Sequence, residues 1–585
     1  MKGFDVLKVK SAVKSRNKMD LSRTHLTTTN FGEILPMFVE ETVPGDEFNV
    51  SANYFSRMAP LVKPTYGKFQ YKTVAGYVPY HMLAVDAEAW LAGKTTFEGQ
   101  TPLQRFIYMI DLVSFVINTA ISTTGTSSNA DFVYTDASGN LQYRVLTRKG
   151  KYMVKILNAL GYALPSGVDL QTSSGWYTNV AYTKLSGYPL LAYLKLYNDY
   201  MSQSQRFNTS LLSNYLYKIK YNTQVSGIYD NTNGRILSAG ILALLNTVVL
   251  NYENDYFTSA WQSPNAPLSS TESVTTITTP WNASTNQSIQ QNGNNTWLAT
   301  QGLSGNVSQR ALDFLKSFDD WVRRNNYSGS RTVQQIYSRF GIKTDDYRSH
   351  YAHVIATDAI PIQVGDVTSV ASVDDGLGEY AGKGIMNGSK GFSIKCDDYG
   401  IILVLGYYTV TPMNAYGFDR RVLRSTPLDY YNPEFDGLGA DAISVGEYFA
   451  DPIGGTNIPD YDTSVFGFTE RYNSYRYGRD VITGEFRNYH ANADMNCWHT
   501  GRLLTDIRQN GTLIAQAVDV NSMPQYASEY NRIFQVTGND SFGVDEFYLT
   551  AQFNVSAIRP MLNLNQVPRL GEGDTTVPRN GNVIS

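Results

Sequence analysis

Residues 391–412 read GFSIKCDDYGIILVLGYYTVTP and contain a continuous apolar run at 401–405. An unbroken apolar run of this length is typical of a strand that is buried on both faces of a sheet. Other β-type segments lie on both sides of it, at 24–58, 66–85, 359–370, 463–470, 481–487 and 542–558. The first of these predicts two strands around a Pro-Gly-Asp turn. The sequence therefore predicts a mainly β fold.

The strands near the two ends of the chain are separated by a block with a different periodicity. Apolar residues recur at helical intervals in 102–121, 150–161, 189–204, 308–325 and 331–340. The longest apolar run, 236–250, predicts a buried helix, because it is shorter than the roughly twenty residues that a membrane-spanning helix needs. No membrane insertion is therefore expected. Strands at both ends must meet to complete the sheets, and a jelly roll with long inserted loops satisfies that requirement.

The composition is typical of a folded protein whose surface is covered by other protein molecules. Hydrophobic residues make up 42% and charged residues 17% of the 585 residues, and there are 42 tyrosines. Interface cores lose charge and gain aromatic residues in the same way, although a large β protein also uses Tyr in its strands. The only cysteines, Cys396 and Cys497, are too few for a disulfide framework, which favours synthesis in a reducing cytosol. The N-terminus lacks an apolar signal-peptide segment.

Two polar segments differ from the rest. Residues 1–23 form a basic arm, which predicts non-specific phosphate contacts or, alternatively, a frayed terminus. The net charge of −4 argues against a dedicated nucleic-acid binder. Residues 264–307 are almost uncharged and rich in Ser, Thr, Asn, Gln and Gly, which predicts an exposed excursion, either a linker or a recognition protrusion. The tail at 569–585 is also polar.

Residues 465–487, VFGFTERYNSYRYGRDVITGEFR, alternate aromatic rings with guanidinium groups. Such groups suit three uses, namely stacking within a loop-rich β protein, contacting a phosphate backbone and bases, and joining one subunit to another. The local chemistry leaves all three open. The negative net charge favours stacking within and between subunits over direct DNA contact.

The chain shows no catalytic, cofactor or metal motif. His350 and His353 lack the glutamate of a zinc helix, and the acidic pairs lack the spacing of a calcium loop. Cys497 and His499 predict a buried thiol rather than a nucleophile and its base. A jelly-roll hydrolase would need paired carboxylates, for which Glu470 and Glu485 are the candidates. The sequence therefore predicts a non-enzymatic protein without cofactors or metal.

Seven segments, in order along the chain, resemble the major capsid protein of the Microviridae, the small icosahedral single-stranded-DNA phages, and above all its gokushovirus and Bacteroidetes-phage branches. They are VEETVPGDEFNV at 39–50, NDYFTSA at 254–260, RTVQQIYSRFGIKTDD at 331–346, GKGIMNGSKGF at 382–392, LDYYNPEFDGLG at 428–439, FGFTERYNSYRYGRDVITGEFR at 466–487 and SAIRPM at 556–561. No single segment is decisive, whereas seven in order are specific.

The resemblance implies an eight-stranded antiparallel viral jelly roll with long helical and loop insertions. The single capsid domain would span 24–568, with the inserted block at about 86–350. Roughly sixty copies would close an icosahedral (T=1) shell around a circular single-stranded DNA genome. Implied partners are further copies of the chain, the DNA, an internal scaffolding protein, a pilot or DNA-delivery protein and the bacterial host surface. The protein would be assembled in the host cytoplasm and located in the virion.

Within this scheme, each group of candidate residues has an expected role. The DNA contacts are expected from Lys8, Lys10, Lys14, Arg16, Lys18, Arg476 and Arg479. The subunit interface is expected at Arg471, Tyr472, Tyr475, Tyr477 and Trp498. The family's variable protrusion falls at 264–307, where Thr276, Trp281, Asn286 and Asn292 are candidates for host attachment. The usual Leu-Pro-Trp-Pro continuation is replaced here by WQSP at 261–264, so host specificity does not carry over. A β-rich carbohydrate-binding adhesin is the alternative.

Overall fold

The structure is a computed structural model of the whole chain. It describes residues 16–202, 211–253, 255–260, 337–338, 341, 351–368, 380–415, 417–436, 440–448, 465–487, 493–501, 508–509, 512–513, 527–535 and 545–561. The host-attachment candidates Thr276, Trp281, Asn286 and Asn292 lie outside these residues, as do Lys8, Lys10 and Lys14 of the basic arm. The expected helix at 308–325 and the tail at 569–585 lie outside them as well.

The first 79 residues supply five strands, β1 (Asn17–Asp20), β2 (Arg23–Thr29), β3 (Ile34–Thr42), β4 (Glu47–Met58) and β5 (Phe69–Pro79). The segment 24–58, expected to hold two strands, contains most of β2 and all of β3 and β4. The additional break falls at residues 30–33, where Glu33 accepts hydrogen bonds from the backbone and side chain of Asn30. This side-chain turn ends β2 before the apolar run of β3 begins.

A block of helices and short strands follows. Its helices are α1 (Tyr80–Leu83), α2 (Ala87–Leu91), α3 (Met109–Ile117), α4 (Arg148–Ala159), α5 (Gly175–Asn179), α6 (Tyr188–Tyr200), α7 (Leu211–Lys220) and α8 (Ser238–Leu245). Its strands are β6 (Phe106–Tyr108), β7 (Ser122–Thr124), β8 (Phe132–Thr135), β9 (Leu141–Leu146), β10 (Gly167–Asp169), β11 (Lys184–Ser186), β12 (Tyr229–Asp230) and β13 (Arg235–Ile236). They form two small sheets, which the sequence did not predict.

Long strands return in the second half of the chain. They are β14 (His353–Pro361), β15 (Gln363–Thr368), β16 (Tyr380–Lys395), β17 (Gly400–Val410), β18 (Ala440–Ser444), β19 (Val465–Glu470), β20 (Arg508–Gln509), β21 (Thr512–Leu513) and β22 (Phe547–Arg559). Two single-turn helices, Arg420–Leu423 and Val445–Tyr448, lie in this half. Short 3-10 turns occur at Pro427–Asp429, Pro433–Phe435, Asn473–Tyr475, Gly484–Phe486, Ala493–Trp498 and Ala527–Ile533.

Two large antiparallel sheets organise these strands. In the first sheet the order is β1–β22–β4–β16–β15, and β2 pairs with β22 alongside β1. In the second sheet the order is β14–β5–β17–β3. Each sheet therefore combines strands from before the helical block with strands from after it. The two ends of the chain meet in the first sheet, where Arg23 lies opposite Phe553 and Asn17 opposite Arg559.

Aromatic side chains fill the space between the two sheets. Tyr408 of β17 stacks on Phe547 of β22 with ring centroids 3.9 Å apart, and its hydroxyl donates a hydrogen bond of 2.6 Å to Ser56 of β4. Phe38 of β3 contacts Phe553 of β22 at 5.1 Å. Rings of this size bury large apolar areas and add a specific geometric preference. The sheets are thus held face to face by aromatic pairs.

Strand β17 is buried on both faces, which confirms the interpretation of the apolar run at 401–405. On the face toward the first sheet, Gly406 leaves space for the side chain of Tyr71 from β5, because a Cβ atom at Gly406 would lie 2.1 Å from the Tyr71 hydroxyl. On the other side, helix α6 packs against the second sheet. A Cβ atom at Gly76 of β5 would lie only 2.5 Å from Leu196 of that helix. The helical block therefore covers the sheet face that the other sheet leaves open.

A polar junction ties helix α4 to the start of β22 and to the turn after β2. Lys155 of α4 forms ion pairs with Glu33 at 3.0 Å and with Asp545 at 2.8 Å. Arg148, two turns earlier on the same side of α4, pairs with Glu546 at 3.2 Å. Although burial opposes it, the ion pair with Lys155 lowers the pKa of Asp545. Burial raises the pKa of Glu546 to about 8 despite Arg148, and the nearby charges of Glu33 and Asp545 raise it further.

Most of the expected elements occur, with shifted ends. The segments 150–161, 189–204 and 236–250 contain α4, α6 and α8, and the last is a largely buried helix, as expected. The segment 102–121 begins with β6 and is helical only from Met109. The expected strand at 481–487 was wrong, because the chain there is irregular and contains the turn Gly484–Phe486. Among the described residues, no helix is long and apolar enough to cross a membrane.

The Glu546→Gln variant should change how the stability of the fold depends on pH. Between pH 4.5 and about 8, the unfolded chain releases the Glu546 proton more readily than the folded chain does, so folding stability falls as pH rises. Glutamine cannot titrate. Thermal unfolding should therefore show a smaller drop in Tm between pH 5 and pH 8 for the variant than for the parent. An identical drop in both proteins would contradict the raised pKa.

Candidate subunit and nucleic-acid interface

The candidate site is built on the segment 465–487. Strand β19 pairs with β18, so that Ala440 lies opposite Glu470. The chain then leaves the sheet through Tyr472, whose φ of 61° is left-handed, a region that few non-glycine residues adopt. The backbone N–H of Tyr472 donates to Asp441 at 2.9 Å, and its ring is only 3% exposed. Buried stacking and this hydrogen bond hold the strained residue in place.

An exposed aromatic patch surrounds this turn. We define it by Leu428, Tyr430, Tyr431 and Tyr475, which are 57%, 54%, 47% and 48% exposed. Tyr431 and Tyr475 contact one another at 6.0 Å, and the guanidinium of Arg424 lies 4.0 Å from the centre of the Tyr475 ring. The buried ring of Tyr472 supports the patch from below, 5.1 Å from Tyr431. Apolar rings are thus presented to solvent on a fixed base.

Three of the four arginines of the segment, Arg471, Arg476 and Arg479, have partners within the chain. Arg476 is half exposed and forms ion pairs with Glu470 and Asp436, both at 3.2 Å. Arg479 donates to the backbone oxygen of Gly417, and burial lowers its pKa. Arg471 lies over the rings of Phe435 and Tyr472. These guanidinium groups therefore contribute to intrachain contacts.

A second group of contacts fixes the end of the segment. The ring of Tyr477 stacks on Tyr256 with centroids 4.9 Å apart and an interplanar angle of 14°. The Tyr256 hydroxyl donates to Glu447 at 3.0 Å, and Arg420 donates to the same carboxylate at 2.6 Å. Glu447 is 2% exposed, and its carboxylate also accepts a hydrogen bond of 3.1 Å from the backbone N–H of Ser444. Of the five interface candidates, Tyr477 and Tyr472 thus face the interior of the chain.

Trp498, the fifth interface candidate, lies in a separate region. It stacks on the exposed ring of Tyr66, with centroids 5.7 Å apart. Its neighbour His499 has both ring nitrogens engaged by backbone groups. Nδ1 accepts from Gly501 at 3.0 Å and Nε2 lies 2.8 Å from the oxygen of Phe486. Cys497 is buried, as expected.

The described part of the basic arm contacts the first sheet. Arg16 forms an ion pair with Glu47 at 3.2 Å, and Lys18 is exposed on β1. The arm residues and Arg476 and Arg479 are not brought together by any contact that the structure describes. The hydrolase candidates are both exposed, and Glu470 already pairs with Arg476.

One grouping of metal-type ligands was missed by the sequence. His81, Glu88 and Asp398 place one donor atom each within 4.8 Å of one another. His81 and Asp398 already form a 2.9 Å contact, and this hydrogen bond lowers the pKa of Asp398. The separation of 317 residues between them hides the grouping from any local motif search.

Other residues of the site were missed for the same reason. Arg424, Asp441 and Glu447 were not singled out, and Tyr430 and Tyr431 entered only as part of LDYYNPEFDGLG at 428–439. That segment offered the one available signal, because it shares the aromatic and polar character of 465–487 and lies less than forty residues before it. The contact between the two segments is a tertiary one.

Stacked antiparallel sheets, an exposed aromatic patch and a composition with only 17% charged residues define a β-rich structural protein suited to assembly. The sequence matches the family described as Capsid protein (F protein) over residues 7–97 and 161–569. This match covers well over half of the chain. The chain belongs to this phage capsid protein family.

Two relatives of this kind span almost the same length. Capsid protein VP1 of Chlamydia phage 1 is 21% identical, and the similarity covers 89% of this chain and 94% of the relative. Capsid protein VP1 of Bdellovibrio phage phiMH2K is also 21% identical, with coverage of 85% and 87%. The resemblance to the major capsid protein of the Microviridae is thereby confirmed, and so is the role as a major capsid protein. A capsid protein acts by self-assembly and resides in the virion.

The Arg420→Ala variant should destabilise the protein, because it leaves the buried Glu447 carboxylate without its ion pair. Loss of one partner of a buried pair costs about 3–5 kcal/mol, which chemical denaturation can measure. Arg421→Ala is the matched control. Its guanidinium pairs with Asp419 at the surface, where ion pairs contribute little. Equal losses in the free energy of unfolding for the two variants would show that the buried ion pair stabilises the fold no more than the surface pair does.

Proposed function

We propose that the two large sheets form the eight-stranded viral jelly roll of a T=1 icosahedral shell. The strands β2, β22, β4 and β16 would make one four-stranded layer, and β3, β17, β5 and β14 the other. The orders β2–β22–β4–β16 and β14–β5–β17–β3 support this assignment, because each layer alternates early and late strands of the chain. In this scheme the jelly-roll domain spans 24–568, and the block at about 86–350 is an insertion between β5 and β14.

In this proposal the aromatic patch is part of the interface between copies of the chain. Solvent-exposed rings of this density are unusual on a monomer and are typical of surfaces that another protein covers. The patch is also rigid, since Tyr472 contacts Tyr431 from below and Arg424 lies against the ring of Tyr475. A preformed aromatic surface loses little entropy on association. The patch is therefore the single observation that carries the proposal, and Tyr475 is the interface candidate that it supports best.

The shell would enclose a circular single-stranded DNA genome. The basic arm, with Lys8, Lys10, Lys14, Arg16 and Lys18, would contact phosphates without regard to sequence. Arg476 and Arg479 would contribute less than the arm, because both already have partners within the chain. The role is structural and not enzymatic.

Further partners belong to the same proposal. They are an internal scaffolding protein, a pilot protein for DNA delivery and the surface of the bacterial host. Assembly would take place in the host cytoplasm. The segment 264–307, with Thr276, Trp281, Asn286 and Asn292, would attach to the host because its uncharged polar composition suits an exposed recognition loop.

The Tyr430→Asp variant should fold normally but fail to assemble, because a desolvated carboxylate at a subunit interface is unfavourable. Negative-stain electron microscopy and sedimentation of protein expressed with its scaffold would show shells for the parent and subassemblies for the variant. Tyr217→Asp, on the exposed face of α7 away from the patch, is the control and should assemble. Shells formed equally well by Tyr430→Asp would remove the patch from the interface, and a parent that never forms shells would oppose the capsid role.

The DNA contacts can be separated by salt titration. Removal of residues 1–15 should lower the salt dependence of single-stranded DNA binding by capsomers, since each lost phosphate contact reduces the slope by about 0.7. The double variant Arg476→Ala, Arg479→Ala should reduce it less, because those groups are partly neutralised within the chain. An effect of the double variant larger than that of the truncation would reverse this ranking.

A further inference from the structure

The outward face of the first sheet has an unusual side-chain composition. On β4, alternate residues point away from the core, and the exposed ones are Asn49, Ser51, Asn53, Phe55 and Arg57. None of them carries a negative charge. The four residues between them that face the second sheet, at 50, 52, 54 and 56, are all buried.

The neighbouring strand β22 continues the same composition. Its outward residues are Tyr548, Thr550, Gln552, Asn554 and Ser556. The register places Tyr548 opposite Arg57 and Thr550 opposite Phe55, so these side chains share one surface.

The two flanking strands extend this surface without adding a carboxylate. On β16 the outward series includes Lys383, Ile385, Asn387 and Ser389, and Asn387 lies opposite Phe55. On β2, Leu26 lies opposite Thr550 and is 73% exposed. On the four strands β2, β22, β4 and β16, the outward side chains from the level of Lys383 to the level of Asn49 thus carry hydroxyls, amides, apolar groups and cations. We call this surface the polar face.

One end of the polar face forms a groove. An open cavity of about 720 Å³ lies between the sheet and helix α4, lined by Leu26, Phe55, Arg57, Tyr548 and Lys155. Phe55 and Tyr548 are 41% and 45% exposed, and the Arg57 guanidinium lies 5.5 Å from the centre of the Phe55 ring. Exposed rings beside a cation are the elements from which single-strand binding sites are built.

The carboxylates at the edges of the polar face have hydrogen-bond or ion-pair partners. Asp20 of β1, opposite Ser556 at the far end, is exposed and accepts hydrogen bonds from Ser22, with Lys18 nearby. At the groove end, Lys155 pairs with Glu33 and Asp545. At the far end, Glu47 has Arg16 at 3.2 Å and Lys395 at 3.7 Å. Arg16, the first described residue of the basic arm, therefore lies at this far end of the face.

We propose that the polar face binds single-stranded DNA, with bases stacked on Phe55 and Tyr548 and phosphates held by Arg57 and the hydroxyl and amide side chains. This inference rests on the proposed capsid function and assigns the surface of the shell protein that meets the genome. A polyanion explains the absence of carboxylates from these positions, because each would repel phosphates. A protein occupant, whether a scaffold or a second copy, would not require that absence.

Isosteric charge changes test the proposal with little risk to folding. The double variant Asn387→Asp, Gln552→Glu places two negative charges on either side of Phe55 at exposed positions. Binding of capsomers to oligothymidylate, measured by fluorescence anisotropy, should weaken about tenfold. The control Gln100→Glu, Asn179→Asp adds the same charge at exposed positions of the inserted block and should bind like the parent.

Stacking and charge can be distinguished by salt dependence. Phe55→Ala with Tyr548→Ala should weaken binding tenfold to a hundredfold at every salt concentration with an unchanged slope, because stacking releases no counterions. Arg57→Ala should lower the slope by about 0.7. Melting temperatures near that of the parent would verify that these exposed substitutions leave the fold intact.

The outcomes separate this proposal from the capsid role itself. Shells of the double variant Asn387→Asp, Gln552→Glu should form yet contain less DNA, seen as a lower ratio of absorbance at 260 and 280 nm. Shells with the full DNA content, or equal losses in the control, would overturn the DNA-binding face while leaving the capsid function standing. Failed co-assembly with the scaffolding protein at unchanged DNA affinity would also overturn it and assign the face to a protein.

Discussion

The burial of β17 on both faces is the constraint on which the rest of the structure depends. One face of this strand meets the aromatic layer of the first sheet, where Tyr408 stacks on Phe547. The other face would be open to water if the second sheet stood alone. Helix α6 closes it, with Leu196 in the space left by Gly76. The inserted block is therefore part of the core, since an uncovered apolar strand would be an aggregation site.

The closure of the first sheet depends on both ends of the chain. Strand β22 lies between β4 on one side and β1 and β2 on the other, so neither end can form its part of the sheet alone. The junction of Lys155 with Glu33 and Asp545 reinforces this arrangement, because it joins the early turn, the inserted helix and the last strand. Such long-range pairing is costly in loop entropy and slow to form. The resulting sheet is closed by hydrogen bonds between strands from both ends of the chain.

The arginine- and tyrosine-rich segment supports the aromatic patch. Its most buried tyrosine, Tyr472, supports the rings of Tyr431 and Tyr475, which are exposed together with Tyr430. The guanidinium groups are largely satisfied inside the chain. The polar face, by contrast, is free of carboxylates and has rings and Arg57 directed to solvent. In the functions proposed above, the aromatic patch contacts other copies of the chain and the polar face binds DNA.

The sequence by itself determined the β class, the position of the most buried strand and the family, because apolar runs, turn residues and ordered segments are local signals. It also located α4, α6 and α8 within a few residues. It did not determine the short sheets β6–β13, whose strands are too brief for periodicity to show, nor the irregular course of 481–487. Only the tertiary structure decided which arginines and tyrosines contact one another and which are exposed to solvent. Arg476 pairs with Asp436 forty residues away, and Phe55 shares a surface with Tyr548 almost five hundred residues later. Strand register and ion pairing join residues that are distant along the chain, and no local pattern encodes those contacts.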